Sequence, residues 1–279
     1  MALTPQNQTN LALYIPDVWA KEVQAAVESN LILGKICDRH YEENASYGDN
    51  IVVPVLSNLS ATAYNAAADI SLTTTTESSV NIAINQRYYV AYGVDDFTRV
   101  QDMISYFDKA KDKAAYAISK QIDTSIASTV NSFSQTVGTE GAALTEATLI
   151  SAYEYLNLAD APESDRAWVF DPESITDLLG RDYFVKMDYV PDSVVSKGFS
   201  GRQVFGAPVY MTTNLLAVNS SYHAAWYMQK EATALVMQMQ PKTSLERLAQ
   251  RLADVVVCKA LWGVKEMRDT FGVWIKTRS

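Results

Sequence analysis

Cysteine and histidine are nearly missing from this 279-residue chain, with two of each. Cys37 and Cys258 are far apart and each sits in an apolar setting, which reads as free buried thiols in a reducing compartment rather than a disulfide. No cysteine or histidine pair has zinc spacing. Neither His40 nor His223 lies near a serine or cysteine nucleophile in sequence, so each reads as a surface or satisfied core residue. Nucleotide and hydrolase motifs are missing too. There is no Walker loop, no Gly-x-Gly-x-x-Gly and no His-Glu-x-x-His. Gly198-Phe199-Ser200-Gly201 lacks the spacing of a nucleophile elbow. The acid pairs Glu42-Glu43 and Asp95-Asp96 are adjacent, and neighbours in an extended segment point to opposite faces, so they make poor acid–base dyads. The first pair reads as a solvated loop and the second as a helix N-terminus, where the dipole favours carboxylates. The sequence nominates no catalytic, cofactor-binding or metal-ligating residue, and no cofactor.

Long hydrophobic runs and positive charge are also lacking. No apolar stretch reaches the ~20 residues that a membrane-spanning helix needs. The opening MALTPQNQTN is polar and uncharged, with no secretory or transit signal. The Asn-x-Ser/Thr triplets at Asn7, Asn44, Asn58 and Asn219 therefore read as chance matches. Lys and Arg total 23 against 32 Asp and Glu, a formal net charge of -9. A protein that grips phosphates needs a basic face; one that only surrounds nucleic acid does not.

What is present is an ordinary folded composition, 48% hydrophobic and 20% charged, in one large domain or two intimate ones. The longest uninterrupted pattern runs from Asp95 to Gln135 without Gly or Pro. Val100, Met103, Ile104, Phe107, Ala110, Ala114, Ile118, Ile122, Ile126, Val130 and Phe133 recur at steps of three and four, one buried stripe of an α-helix. Asp95 and Asp96 stand at the N-cap position and Gly138 follows the end. A helix over 97–135 would be about 58 Å long.

Before it, residues 1–13 read as a polar arm, and Pro16 opens a helix carrying Val18, Trp19, Val23, Ala26, Val27 and Leu31. Ile51–Leu56 is a strand whose Pro54 places it at an edge or bulge. Val80–Tyr92 is expected as a second, longer strand, with Val80, Ile82 and Ile84 on one face. Between them, 57–79 is rich in Ser, Thr, Ala and Asn. A connection that long is functional or disordered, and strands on both sides suggest a projecting hairpin that needs another surface to lie on.

After the long helix, Thr145 caps a helix to Leu158. Ala167–Phe170 is a fully apolar central strand, and Asp171-Pro172 opens a helix ending at Gly180. Residues 182–204 are mixed, broken by Pro191, Gly198 and Gly201. Val204–Met211 reads as a strand interrupted by a turn, and Ala224–Met228 and Ala232–Met239 as further strands. Thr243 and Glu246 have capping-box spacing, predicting a short helix to Leu252 that would set Arg247 and Arg251 on one face as ion-pairing groups. Asp254–Val264 and Val273–Lys276 close the chain. The aromatic pairs Tyr88-Tyr89, Tyr153/Tyr155 and Trp226-Tyr227 suit either core or interface.

This order of elements resembles the major capsid proteins of tailed bacteriophages, with their Hong Kong 97 fold. Three stretches carry the likeness. Ile15-Pro16-Asp17-Val18-Trp19-Ala20-Lys21-Glu22-Val23, running on to Tyr47-Gly48-Asp49-Asn50-Ile51, is similar to the family's opening. Val204-Phe205-Gly206-Ala207-Pro208-Val209-Tyr210 with Thr213-Asn214-Leu215 is similar to its lobe strand and following turn. Ala260-Leu261-Trp262-Gly263-Val264-Lys265 with Gly272-Val273-Trp274-Ile275 is similar to its closing strands.

The resemblance implies an α+β fold in four parts. These are an N-arm over 1–46, an extended β-hairpin loop over 47–94 with its tip at 57–79, a peripheral domain over 95–143 and 241–279 with a long spine helix, and an axial α/β domain over 144–240. It implies a non-enzymatic virion protein, assembled in the bacterial cytoplasm into pentamers and hexamers of an icosahedral shell around double-stranded DNA. Its partners would be further copies of itself, a portal protein and possible decoration proteins. Pro5 and Pro16, so near the start, leave no room for a fused scaffolding segment, which implies a separate scaffolding protein. No residue pair is assignable to a covalent Lys–Asn crosslink. The alternatives are an encapsulin-like nanocompartment shell, an α/β enzyme with an unrecognised site, and a monomeric binding module.

Overall fold

The computed structural model describes residues 32–56, 59–63, 69, 72, 77–96, 106–180, 203–215, 217–219, 222–248 and 252–278. The helix expected from Pro16, the breakers Pro191, Gly198 and Gly201, most of the hairpin tip, and 97–105 of the expected long helix lie outside them.

The described chain begins with a short helix, α1 (Leu33–Ile36), and a 3-10 turn at His40–Asn44. Strands β1 (Asn50–Leu56) and β2 (Glu77–Ala83) form an antiparallel ribbon with Asn50 opposite Ala83 and Leu56 opposite Glu77. A two-stranded ribbon consists entirely of edges, which is why Pro54 is tolerated. The single strand expected over Val80–Tyr92 is two strands. The chain leaves the ribbon after Ala83, and β3 (Gln86–Asp95) joins a different sheet, beside β11 (Ala253–Glu266). Ile82 and Ile84 are both buried, as their alternation predicts, but Ile84 sits in the break, its N–H donating to the Asp49 carbonyl at 2.8 Å.

The long helix, α2, spans Tyr106–Ala127. From Ala114 onward its stripe is the expected one: Ala114, Ile118, Ile122, Ile126, Val130 and Phe133 are all buried. Asp95 ends β3, opposite Ala253, and Asp96, the next residue, is already helical. At the other end the helix tightens to 3-10 over Ser128–Ser132. The hydroxyls explain this. Ser119, Thr124 and Ser125 bond back to carbonyls four residues earlier, while Ser128 and Thr129 bond back only three, to Ser125 and Ile126. Such back-bonding competes with the helical ladder and bends it.

Helix α2 packs against a three-stranded antiparallel sheet ordered β10-β11-β3. Strand β10 (Thr233–Leu248) overturns the helix expected at Thr243–Leu252. Thr243 pairs with Cys258, Glu246 with Val255 and Leu248 with Ala253. Thirteen cross-strand pairs along β10 outweigh one local capping signal, and Thr243-Glu246 is only a coincidence of spacing. The aligned face expected for Arg247 and Arg251 goes with the helix. Arg247 lies on a strand and Arg251 is outside the described residues.

The second layer is a mixed sheet ordered β4-β12-β9-β5-β7-β6, with β8 beside β9. Its strands are β4 (Thr136–Val137), β5 (Arg166–Phe170), β6 (Gln203–Val204), β7 (Ala207–Met211), β8 (Ala217–Asn219), β9 (Tyr222–Gln229) and β12 (Gly272–Lys276). Every residue of β5 is buried, as its apolar run predicts. Trp168 stacks on Tyr227 with ring centroids 3.8 Å apart. The buried Arg166 guanidinium is satisfied by neutral acceptors: the Ala161 and Pro162 carbonyls at 2.6 and 2.8 Å and Asn157 Oδ1 at 2.8 Å. Helix α3 (Glu146–Leu158) is capped by Thr145, which accepts from the Thr148 N–H. Helix α4 (Pro172–Leu179) is capped by Asp171, which accepts from the Ser174 N–H, and ends at Gly180. Both match expectation.

One buried carboxylate joins the layers. Asp123, on the inner side of α2, accepts the Ile32 N–H at 3.0 Å and the Gly34 N–H at 3.3 Å, capping α1 from a distance of 91 residues in sequence. Asn214, after β7, also favours its charged form. Burial pushes its carboxyl up, and these donors only partly reverse that.

Two substitutions test this architecture. Ile118→Asp buries an unpaired carboxylate and is expected to cost several kcal/mol, on the order of 3 or more; an unchanged melting temperature would mean the stripe is misplaced. Asp123→Ala leaves the buried Ile32 N–H without its acceptor and is expected to cost about 1–3 kcal/mol in urea unfolding.

Candidate assembly interface

The β1–β2 ribbon has two halves. Its root is packed: Ile82 is buried with Ala45, Ile84, Ala234 and Val236, and Ile51, Val53 and Leu261 close over them. Gln238 fastens the root, its side-chain amide donating to the Ala45 and Gly48 carbonyls at 2.9 Å each. Gly263 is required here, because a Cβ on β11 would run into the Ala83 carbonyl where the ribbon crosses it. The apolar residues outside this cluster face solvent. Tyr47 is 92% exposed, Val52 59%, Leu59 68% and Leu72 93%. A ribbon of this kind is marginal alone in water, and so much exposed apolar surface on a thin element marks a contact site.

Asp49, Asp69 and Glu77 lie along this arm, and no Lys or Arg occurs between Arg39 and Arg87. It is a purely acidic element.

A complementary surface lies on the three-stranded sheet. Alternate residues of β11 face away from the core: Val255, Val257 and Leu261 are half-buried and Lys259 is exposed. In register with Lys259 stand Lys242 on β10 and the 74%-exposed Tyr89 on β3; in the next row Leu261 faces Arg87. Like charges directly opposite each other destabilise a strand pair, and no ion pair among the described residues relieves Lys242 or Lys259. This face is an apolar strip with a row of cations at one end. Tyr88, one residue along, instead stacks on the buried Trp262 with centroids 5.2 Å apart.

The mixed sheet carries a further apolar margin. Ile150, Tyr155 and Leu158 on α3 are exposed, as is Phe205. Phe205 and Gly206 form the two-residue β6–β7 turn with φ of 49° and 77°, as a type I′ hairpin requires. The Phe205 ring lies 5.1 Å from Tyr153. Of the aromatic pairs singled out above, Trp226 and Tyr227 are core, while Tyr89 and Tyr155 reach the surface.

The chemistry-bearing residues do not converge. His40 is exposed on a 3-10 turn, and neighbouring Glu42 is bonded to Arg39 at 2.7 Å. Asp96 and Asp254 both accept from Arg247, whose charged form they hold in place, so Asp96 serves an ion pair and Arg247 meets its expected role. His223 Nδ1 lies 3.6 Å from Asp171 Oδ2, a pairing invisible in sequence. Ser174, three residues past Asp171, is fully buried and its hydroxyl has no hydrogen-bond partner, so this cluster presents no nucleophile to solvent. Cys37 and Cys258 are free and buried, and burial together with Asp123 and Asp38 pushes the Cys37 thiol up, away from thiolate chemistry. Among the described residues no group of three His, Cys, Asp or Glu side chains converges to hold a metal, and no helix is long and apolar enough to cross a membrane. A cleft of about 340 Å³ beside Lys35, Arg166 and Lys230 also carries Glu163 and Asp165, a lining of mixed charge.

The surfaces, rather than any pocket, are the candidate functional features, and comparison with known proteins agrees. A family model described as phage capsid protein matches residues 41–202, more than half of the chain. Among solved structures, a chain from Mycobacterium phage Che8 is similar with a TM-score of 0.80 at 21% identity, over 94% of this chain and 97% of that one. A capsid chain of cyanophage P-SCSP1u has a TM-score of 0.79 at 15% identity, over 96% and 94%. A capsid chain of a native GTA particle has a TM-score of 0.73 at 9% identity, over the whole of both chains. No curated protein matches the sequence. The fold is the α+β Hong Kong 97 fold of tailed-phage major capsid proteins. The chain belongs to the phage capsid protein family, as a structural protein of the virion shell.

Proposed function

We propose that this subunit builds an icosahedral shell of pentamers and hexamers around double-stranded DNA, and that the acidic arm of one copy lies across the outer face of the β10-β11-β3 sheet of the next. The observation that carries the reading is the arm itself, which exposes Tyr47, Val52 and Leu72 and carries no positive charge. The Lys242–Lys259 row supplies the matching sign. Such complementarity selects partner and register more than it adds affinity. One sequence serving both five-fold and six-fold settings needs heterologous edges that tolerate small rotations, which a ribbon provides. In this reading 1–46 is the N-arm, 47–94 the extended loop, 95–143 with 241–279 the peripheral domain, and 144–240 the axial domain. Assembly takes place in the bacterial cytoplasm with a separate scaffolding protein. A portal protein and any decoration proteins complete the particle, and an acidic wall leaves the packaged DNA unbound.

The purified chain, with scaffold, is expected to form multi-megadalton particles by negative-stain microscopy; a chain that stays monomeric under all assembly conditions removes the main support. Deleting Thr62–Thr76 should leave a folded subunit that builds no stable shell. Lys259→Glu separates two effects. It relieves the repulsion with Lys242 and raises the melting temperature of the free subunit, yet lowers assembly yield severalfold. Unchanged assembly in that variant would place the arm elsewhere.

A further inference from the structure

β3 is an edge strand of its sheet, with β11 on one side and no described strand on the other. It runs for ten residues, Gln86–Asp95, in register with β11 and without a bulge. Pro54 interrupts the outer strand of the arm, but β3 holds no proline and no lysine. A long regular edge left bare in this way is a template for another strand.

The phase of its hydrogen bonds says which residues are available. The Asp96 N–H donates to the Leu252 carbonyl at 2.9 Å, in the same register that sets Asp95 opposite Ala253. In an antiparallel ladder, residues that exchange bonds with one neighbour alternate with residues that do not. Asp96 and every second residue before it therefore bond toward β11. Arg87, Tyr89, Ala91, Gly93 and Asp95 turn their peptide groups to the open side. Of these, Arg87, Tyr89, Ala91 and Gly93 are also exposed on their own subunit.

This set of five is self-complementary. We propose that β3 pairs antiparallel with β3 of a second copy of the chain, about a two-fold axis at Ala91, so that two sheets become one. With Ala91 opposite the partner's Ala91, Tyr89 meets the partner's Gly93 and Arg87 meets the partner's Asp95. The two-fold makes each of these contacts twice. Outward-bonding residues face one another throughout, as a ladder requires. Moving the axis to Val90 or Tyr92 keeps that phase, but sets Arg87 against glycine or beyond the strand end. Only the axis at Ala91 matches opposite charges and lays an aromatic ring over a glycine, both favourable across strands.

Gly93 supports the same reading. Glycine inside a strand often marks a close approach by another backbone. A Cβ there would meet Val255 Cγ2 at 3.3 Å, a crowding that a small shift of one valine methyl relieves. β11 alone does not require the glycine. The pairing is isologous, so it closes at two copies and does not grow into a stack. The outer face of the joined sheet stays open, so this edge contact and the arm's proposed contact are independent.

Cysteine cross-linking of the full-length unassembled subunit tests the pairing. Directly opposed residues that exchange bonds have Cα atoms about 5.5 Å apart, within the range a disulfide spans. Under mild oxidation Ala91→Cys is expected to give a disulfide-linked dimer, trapped even when the free pair is short-lived. Asn85→Cys, exposed but outside the ladder, should stay monomeric, and the buried Cys37 and Cys258 make the wild type the background. Adding Arg87→Glu to Ala91→Cys sets like charges opposite each other and should cut the linked fraction about fivefold or more. Adding Asp95→Arg to that variant exchanges the charges and should restore it. No linked dimer from Ala91→Cys, equal linkage from Asn85→Cys, or an exchange that restores nothing overturns the pairing. Every readout comes from the unassembled subunit, so it can fail while shells form, and the reverse.

Discussion

The two-layer architecture depends on a carboxylate kept out of water. Asp123 faces inward from a helix whose other inward residues are Ile118, Ile122 and Ile126, and it is 3% exposed. An unpaired charge there would be ruinous, so the chain brings donors to it: two backbone N–H groups from the start of α1. The segment entering the fold and the long helix are thereby fixed in register, and Asn214, beyond β7, favours the same charge from the mixed sheet's side. The apolar stripe on either side supplies most of the free energy, but apolar contact is not directional. The carboxylate specifies which residues meet.

That division explains what was legible in the sequence. Periodic features were readable. The stripe from Ala114 to Phe133, the buried run Ala167–Phe170 and the caps Thr145 and Asp171 each declare themselves within a dozen residues. Features made by pairing distant segments were not. Thr243 and Glu246 spell a capping box locally, and only Cys258 and Val255 across the hairpin show that they belong to a strand. The break at Ile84-Asn85 is hidden for the same reason, since β2 and β3 share an alternating pattern while joining different sheets. The functional surfaces follow suit. The arm was visible as a long polar connection between strands, but the face proposed to receive it was not, because Lys242 and Lys259 become neighbours only when β10 folds back on β11. Asp123, one acid in a long amphipathic pattern, looks like any solvent-facing residue until its partners arrive.

The molecule also separates rigid from adjustable parts. The mixed sheet is locked by stacked aromatics around Trp168 and by an arginine whose acceptors are all supplied locally. The ribbon is held at its root by Gln238 and a small apolar cluster around Ile82, and the turn between β11 and β12 is tied to the end of α2 through Asp269 and Ser134. In the proposed shell, identical chains would occupy settings that differ by small rotations, absorbed where few contacts have to break.

A ribbon made only of edges carries a hazard. Each strand of the arm shows a row of unpaired peptide groups, and a nascent chain that has met no correct neighbour can be zipped into a wrong one. Pro54 interrupts that row, offering no N–H to any strand that adds along β1. The proposed contact across a sheet face does not use that edge, whereas indefinite stacking of copies suffers at every layer. One imino acid thus tilts the competition between finite and endless polymers, in the interval between synthesis and closure, toward the particle that ends.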